Sequence, residues 1–128
     1  MLIAAAVCPH PPLLVPEVTG AHGPGAGELR HLRTACRDAV AVLLGAAPDL
    51  LVVAGGAGQT AEYPATAGGS LRDFAVPVTV GTDPVLPLSL TIGKWLLAGA
   101  ASPSPPVTWQ GIASGTPVAD CLSLGEKL

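Results

Sequence analysis

Two short apolar runs, residues 2–8 and residues 50–54, contain no alternating polar residue. Runs of this kind are typical of strands that are buried on both faces of a parallel sheet. Between them, residues 28–44 carry apolar side chains at helical spacing. A strand, a helix and a second strand form a right-handed unit of a parallel sheet. We therefore expect Leu2–Val7 and Leu50–Ala54 to be adjacent, parallel, central strands.

The remainder of the chain continues the alternation of strands and helices. Residues 74–80 predict an edge strand because they contain a proline, residues 86–100 predict a helix, and residues 107–113 predict a further strand. Thr116, as an N-cap residue, predicts the start of a last helix. The sequence thus predicts one α/β domain over residues 1–128, with a mostly parallel sheet and flanking helices.

Charge and hydropathy exclude several classes of partner. The net charge of −3 and the pI near 5.4 provide no basic face, which nucleic acids and anionic membranes both require. The apolar stretch at the N-terminus follows no basic segment and is interrupted by prolines after about seven residues. We therefore expect no nucleic-acid partner, no signal peptide and no membrane span.

The cysteines Cys8, Cys36 and Cys121 are far apart in the sequence, and their number is odd. This pattern argues against a disulfide framework and against a zinc site built from cysteines. A cytoplasmic location, where thiols stay reduced, is the simplest interpretation.

His10 stands between Pro9 and Pro11, directly after the first predicted strand. Ligands of open α/β sheets bind at the carboxyl ends of the strands, and a neutral imidazole is a common metal ligand and base. The prolines fix the backbone on both sides of the histidine. Spacing alone also allows a histidine that only forms hydrogen bonds to the backbone, because a single histidine does not make up a set of catalytic or metal-binding residues. We expect His10 to face a cleft that it shares with the loop at residues 55–58.

The other candidate sites have weaker patterns. Residues 56–61 fit a G-x-G-x-x-A dinucleotide motif, but Pro64 argues against the helix that this motif requires, and a plain turn is favoured. His22 and His31 match no metal template with His10, and we interpret them as surface residues.

Four segments resemble one known family over nearly the whole chain. They read AAAVCPHPPLLVPE (residues 4–17), LRTACRDAVAVLL (residues 32–44), PDLLVVAG (residues 48–55) and PVTWQGIASGTPVADCLSLGEKL (residues 106–128). These segments resemble the class III extradiol ring-cleavage dioxygenases, in particular the type represented by the catalytic subunit of protocatechuate 4,5-dioxygenase. The P-H-P-P stretch is the most specific part of the resemblance.

The resemblance implies a non-haem Fe(II), held by two histidines and one carboxylate, that binds a catecholic substrate and O₂. His10 falls where the family has its first iron-ligating histidine. The second family histidine follows the second strand, where this chain reads Ala54-Gly55-Gly56-Ala57. The family's carboxylate ligand and acid–base histidine lie in the later half of longer chains. The resemblance therefore implies an incomplete metal site. We expect either the N-terminal part of a longer domain, with an incomplete extradiol dioxygenase fold, or a branch of the family that kept the fold and lost the ring-cleaving site.

Two functions remain open at this point. The first is opening of a catecholic ring with Fe(II) and O₂, with His10 as a metal ligand. The second is a non-catalytic binding or interaction domain with the same fold. A nucleotide-binding module would require a helix directly after Gly58. Because a sheet of about four strands leaves apolar surface uncovered, we also expect an exposed apolar patch or a homo-oligomer that covers it.

Overall fold

The computed structural model describes residues 1–20, 22–100 and 103–128. Within them the α-helices are α1 (Pro16–Thr19), α2 (Ala26–Gly45), α3 (Leu88–Ala98) and α4 (Val118–Lys127). The strands are β1 (Leu51–Ala57), β2 (Ala61–Tyr63), β3 (Ala67–Ser70), β4 (Thr79–Val80), β5 (Asp83–Pro84) and β6 (Val107–Ala113). Short 3₁₀ helices cover Pro12–Leu14 and Arg72–Phe74. Across the described ranges, no helix combines the length and the apolar character that crossing a membrane requires.

The strands form two small sheets. In the first sheet the order is β1-β6-β2, and β1 runs parallel to β6, with Leu51 opposite Val107 and Ala57 opposite Ala113. β2 runs antiparallel to β6 on its other side. In the second sheet β3 lies between β4, which is antiparallel to it, and β5, which is parallel. The chain is therefore an α/β protein, as expected, but its strands form two mixed sheets and not one mostly parallel sheet.

The prediction of a first strand at Leu2–Val7 is wrong, because residues 1–11 contain neither helix nor strand. We call these residues the N-terminal segment. The parallel neighbour of β1 is β6, so β1 lies at an edge of its sheet. Leu2 and Val7 are 84% and 97% exposed. Three consecutive alanines, Ala4–Ala6, offer little apolar area to bury and favour strands weakly, which explains why this run does not pair.

The later predictions agree better with the structure. The three predicted helices correspond to α2, α3 and α4, with shifted ends, and β6 coincides with residues 107–113. Of residues 74–80, only Thr79–Val80 form a strand, and this strand lies at a sheet edge. The position agrees with Pro77, which has no backbone N–H to donate to a central ladder.

Helix α3 packs between two clusters of buried side chains. It begins after Pro87, whose carbonyl oxygen accepts a hydrogen bond from the Thr91 hydroxyl at 3.0 Å. The first cluster consists of Leu14, Val15, Cys36, Val40, Leu71, Ile92 and Leu96. The second cluster consists of Ala67, Leu86, Leu90 and Trp109. Because α3 contributes to both clusters, it holds α2 and the first sheet together.

Helix α2 holds the chain that follows His10. Its buried residues Cys36 and Val40 lie one turn apart and contact the first cluster. The guanidinium of Arg33 donates a hydrogen bond to the backbone carbonyl of Leu14, which joins the 3₁₀ turn at Pro12–Leu14 to the helix. The N-terminal segment therefore leads into a turn that is fixed against α2.

Candidate functional site

A cavity of about 150 Å³ lies between the N-terminal segment, α2, β1 and α3. An apolar cavity of this size is large enough for one benzene-sized ring. Most of its walls are aliphatic, and the polar groups come from the N-terminal segment and from the first turn of α3. The lining residues are Ala6, Cys8, Pro9, His10, Val40, Leu43, Leu51, Val52, Val53, Ala54, Gly55, Ser89, Ile92, Gly93, Leu96 and Leu97.

His10 lines this cavity together with Gly55 near the carboxyl end of β1. Of residues 55–58, with which we expect His10 to share a cleft, only Gly55 lines this cavity, and it belongs to β1 and not to a loop. The backbone that precedes His10 is not the expected strand, and the side chain of His10 is exposed. The flanking prolines and the turn at Pro12–Leu14 restrain the backbone around the histidine instead.

His22 and His31 lie outside the cavity. Both are exposed, and neither belongs to the cavity lining. Within residues 1–20, 22–100 and 103–128, no group of three or more His, Cys, Asp or Glu side chains is arranged to hold a metal ion.

Gly55 approaches α3 closely at the carboxyl end of β1. A Cβ atom placed on Gly55 would lie 2.5 Å from Ser89 Oγ, whereas a Cβ atom on the adjacent Gly56 would meet nothing within 4 Å. The Ser89 hydroxyl is held in place because it donates a 2.6 Å hydrogen bond to the Gly56 carbonyl oxygen. A side chain at position 55, a histidine included, therefore requires α3 to move away from β1.

Ser89 is the polar residue of the cavity that the sequence did not reveal. It is 8% exposed and stands in the first turn of α3 among leucines. A serine at the start of an apolar helix is common, so its type and position carried no signal of a site. Only the packing of α3 on β1 brings its hydroxyl to the cavity.

Two thiols adjoin the same region. Cys36 is buried on α2, and Cys8 of the N-terminal segment packs against the cluster that contains it. Burial, together with the neighbouring Cys8 thiol, raises the pKa of the Cys36 thiol above its ordinary value. Both effects disfavour the thiolate, since one removes it from water and the other adds a second negative group nearby.

The glycine loop at residues 55–58 does not lead into a helix. β1 extends to Ala57, and the short strand β2 begins at Ala61 and pairs with β6. The Thr60 hydroxyl lies 2.6 Å from the Thr116 hydroxyl and accepts a 2.9 Å hydrogen bond from the Ala113 N–H. This loop is a connection between strands, so it lacks the helix N-terminus on which a dinucleotide motif depends.

Comparisons with models of protein families, with curated proteins and with solved structures give no match to this chain.

Proposed function

We propose that this chain is a class III extradiol dioxygenase-like protein whose cavity binds one small catecholic ring, with the metal site incomplete in this chain. The observation that carries the proposal is the cavity of about 150 Å³ that His10 and the carboxyl end of β1 line together. Its volume matches a single aromatic ring, and its aliphatic walls favour an apolar ring face. The resemblance of the P-H-P-P stretch to the family supplies the class of ligand.

His10 is the residue to which we assign recognition of the catecholic hydroxyls. A neutral imidazole carries one acceptor and one donor nitrogen, so it can accept a hydrogen bond or a proton from a phenolic hydroxyl. The Ser89 hydroxyl already donates to Gly56 and retains an acceptor lone pair. Two adjacent hydroxyls on a ring would thus find acceptors on His10 and on Ser89, both of which line the cavity.

The donors of the cavity do not fit the Fe(II) site that the family resemblance implies. A facial triad needs two histidines and one carboxylate, whereas the described residues that line the cavity provide the imidazole of His10, the thiol of Cys8 and the hydroxyl of Ser89. Residues 54–57, where the resemblance places the family's second histidine, contain none, and at Gly55 the Ser89 side chain occupies the space that a larger residue would need. We therefore propose binding, and not ring cleavage, as the activity of this chain, in a cytoplasmic setting where its thiols are reduced unless an oxidant is present.

Titration calorimetry with catechol under anaerobic conditions tests the proposal. Wild-type protein should bind catechol, and His10→Ala should weaken binding at least about fivefold, because a hydrogen bond to the ligand is lost. His31→Ala is the matched control, since this histidine is exposed on α2 and lies outside the cavity. No binding by the wild type, or equal weakening in both variants, would contradict the proposal.

Anaerobic loading with Fe(II) separates binding from ring cleavage. One imidazole is too few ligands for tight iron, so we expect less than one iron per chain after gel filtration. Stoichiometric iron that disappears in His10→Ala would restore ring cleavage as the better explanation.

One observation favours a second candidate, an interaction domain that forms a homo-oligomer through α4. This helix has no buried residue, and Val118 and Leu122 are 75% and 65% exposed on it. Two copies of α4 packed antiparallel, with Val118 of one copy against Leu122 of the other, would cover these apolar side chains.

Sedimentation velocity distinguishes this candidate. Self-association of the wild type should be lost in Leu122→Asp and kept in Ser123→Asp, which adds the same charge at a neighbouring exposed position. A wild type that stays monomeric at high concentration would remove the candidate.

A further inference from the structure

Cys8 of the N-terminal segment packs against the core cluster to which Cys36 of α2 belongs. Cys36 is 3% exposed and belongs to the first core cluster, and Cys8 is half-buried and packs against that cluster. Both cysteines are free. The structure thus brings together two thiols that are 28 residues apart in the sequence.

The two cysteines stand on backbone of very different rigidity. Cys36 is in the middle of the 20-residue helix α2. Cys8 belongs to the N-terminal segment, and within the described chain no backbone hydrogen bond joins residues 1–10 to other residues. Disulfides require a narrow range of Cα separations and side-chain dihedrals. Since the backbone of Cys8 carries no ladder of hydrogen bonds, it can move to meet these requirements without breaking secondary structure.

We propose that Cys8 and Cys36 form a reversible disulfide that joins the N-terminal segment to α2 beside the cavity. The bond would fix the residues that lead to His10 and so set the width of the cavity mouth on that side. This inference is independent of the proposed ligand, because it depends only on the two thiols and the segment that carries one of them.

The chemistry balances with hydrogen peroxide as the oxidant. The more accessible sulfur of Cys8 attacks one peroxide oxygen, the O–O bond breaks, and Cys8 becomes a sulfenic acid while one water forms. The sulfur of Cys36 then attacks the Cys8 sulfur, the S–O bond breaks, and the second water leaves. The two thiols lose two electrons and two protons overall, and one peroxide becomes two waters. A dithiol reductant reverses the bond by thiol–disulfide exchange.

Cys121 provides an internal control for this proposal. It lies on α4, where its sulfur is 4.0 Å from the Thr116 carbonyl oxygen. It belongs to neither core cluster, whereas Cys8 and Cys36 both contact the first. Oxidation should therefore consume two thiols of the three and leave Cys121 free.

The experiment uses the full chain, reduced, diluted and then treated with hydrogen peroxide, with remaining thiols blocked before digestion. Trypsin cleaves after lysine and arginine, so it places Cys8 in residues 1–30, Cys36 in residues 34–37 and Cys121 in residues 95–127. We expect mass spectrometry to find residues 1–30 joined to residues 34–37, and the free-thiol count to fall from three to one. Dithiothreitol should restore all three thiols.

Two variants accompany the wild type. Cys121→Ser should still lose two thiols, and Cys8→Ser should lose none, with circular dichroism to verify that each is folded. Position 8 is preferred over position 36 for substitution because Cys36 is buried in the core. Three results would each overturn the proposal. The first is three free thiols after oxidation, the second is sulfinic acid at Cys8 without the cross-link, and the third is an equal yield of a cross-link to residues 95–127.

Discussion

At the scale of single residues, Gly55 and Ser89 determine how closely β1 and α3 approach. The Ser89 hydroxyl occupies the space that a Cβ atom on Gly55 would need, and it donates a hydrogen bond to the next carbonyl along β1. The adjacent Gly56 has open space at the same position. The sequence alone shows that no histidine stands at position 55, and the structure adds that none fits there.

This contrast predicts different effects of one methyl group at two neighbouring glycines. Gly55→Ala should lower the free energy of unfolding by about 1–3 kcal/mol, because the methyl group pushes Ser89 and α3 away from β1. Gly56→Ala should change it by less than about 0.5 kcal/mol, since nothing lies in its way. Urea unfolding followed by circular dichroism measures both values. Similar losses in the two variants would show that the close contact between β1 and α3 is absent.

At the scale of elements, the pairing of β1 is the main feature that the sequence did not determine. The apolar run at residues 50–54 predicts a strand because its aliphatic side chains suit a sheet core, and the structure confirms a strand over Leu51–Ala57. Its partner is β6, where Val107 lies opposite Leu51, and not the run at Leu2–Val7. Residues 2–7 and β6 both offer apolar side chains to β1, and composition alone does not indicate which of the two segments pairs with it.

The helices were easier to predict for a physical reason. Helix hydrogen bonds join residues that are close in the sequence, so a helix can be predicted from local spacing. On α2, the four-residue spacing of Cys36 and Val40 predicts a buried face. The site was predictable in part for the same reason: Pro9 and Pro11 fix His10 locally, whereas the approach of Ser89 depends on long-range packing of α3.

Amide hydrogen exchange tests the arrangement of these elements. Residues 2–7 should exchange at rates close to those of an unfolded chain, because their backbone has no hydrogen-bond partner within the described residues. Residues 107–113 should be slower by orders of magnitude, since β6 is the central strand of its sheet. Equal protection of the two segments would mean that Leu2–Val7 is a strand after all.

At the scale of the whole molecule, the cavity adjoins a second, wider cleft. The cavity is lined by the N-terminal segment, α2, β1 and α3. The wider cleft runs along residues 1–6 and 48–52 and shares Ala6, Leu43, Leu51 and Val52 with the lining of the cavity. Leu2, Leu50, Val118 and Leu122 are among the exposed large apolar side chains, and a contiguous apolar patch or a homo-oligomer that covers it stays a prediction. An aromatic ligand could bind in the cavity or on the exposed apolar side chains, and we propose that it binds in the cavity.

The most direct test of that assignment is a heteronuclear NMR titration of the wild-type protein with catechol. We predict that backbone amide shifts concentrate at residues 53–56 and 89–93, which surround the cavity, and that His10→Ala reduces them. Residues 118–124 of α4, which lie outside the cavity, serve as the internal reference. Shifts that concentrate on α4 and residues 1–3, or that persist unchanged in His10→Ala, would contradict binding in the cavity.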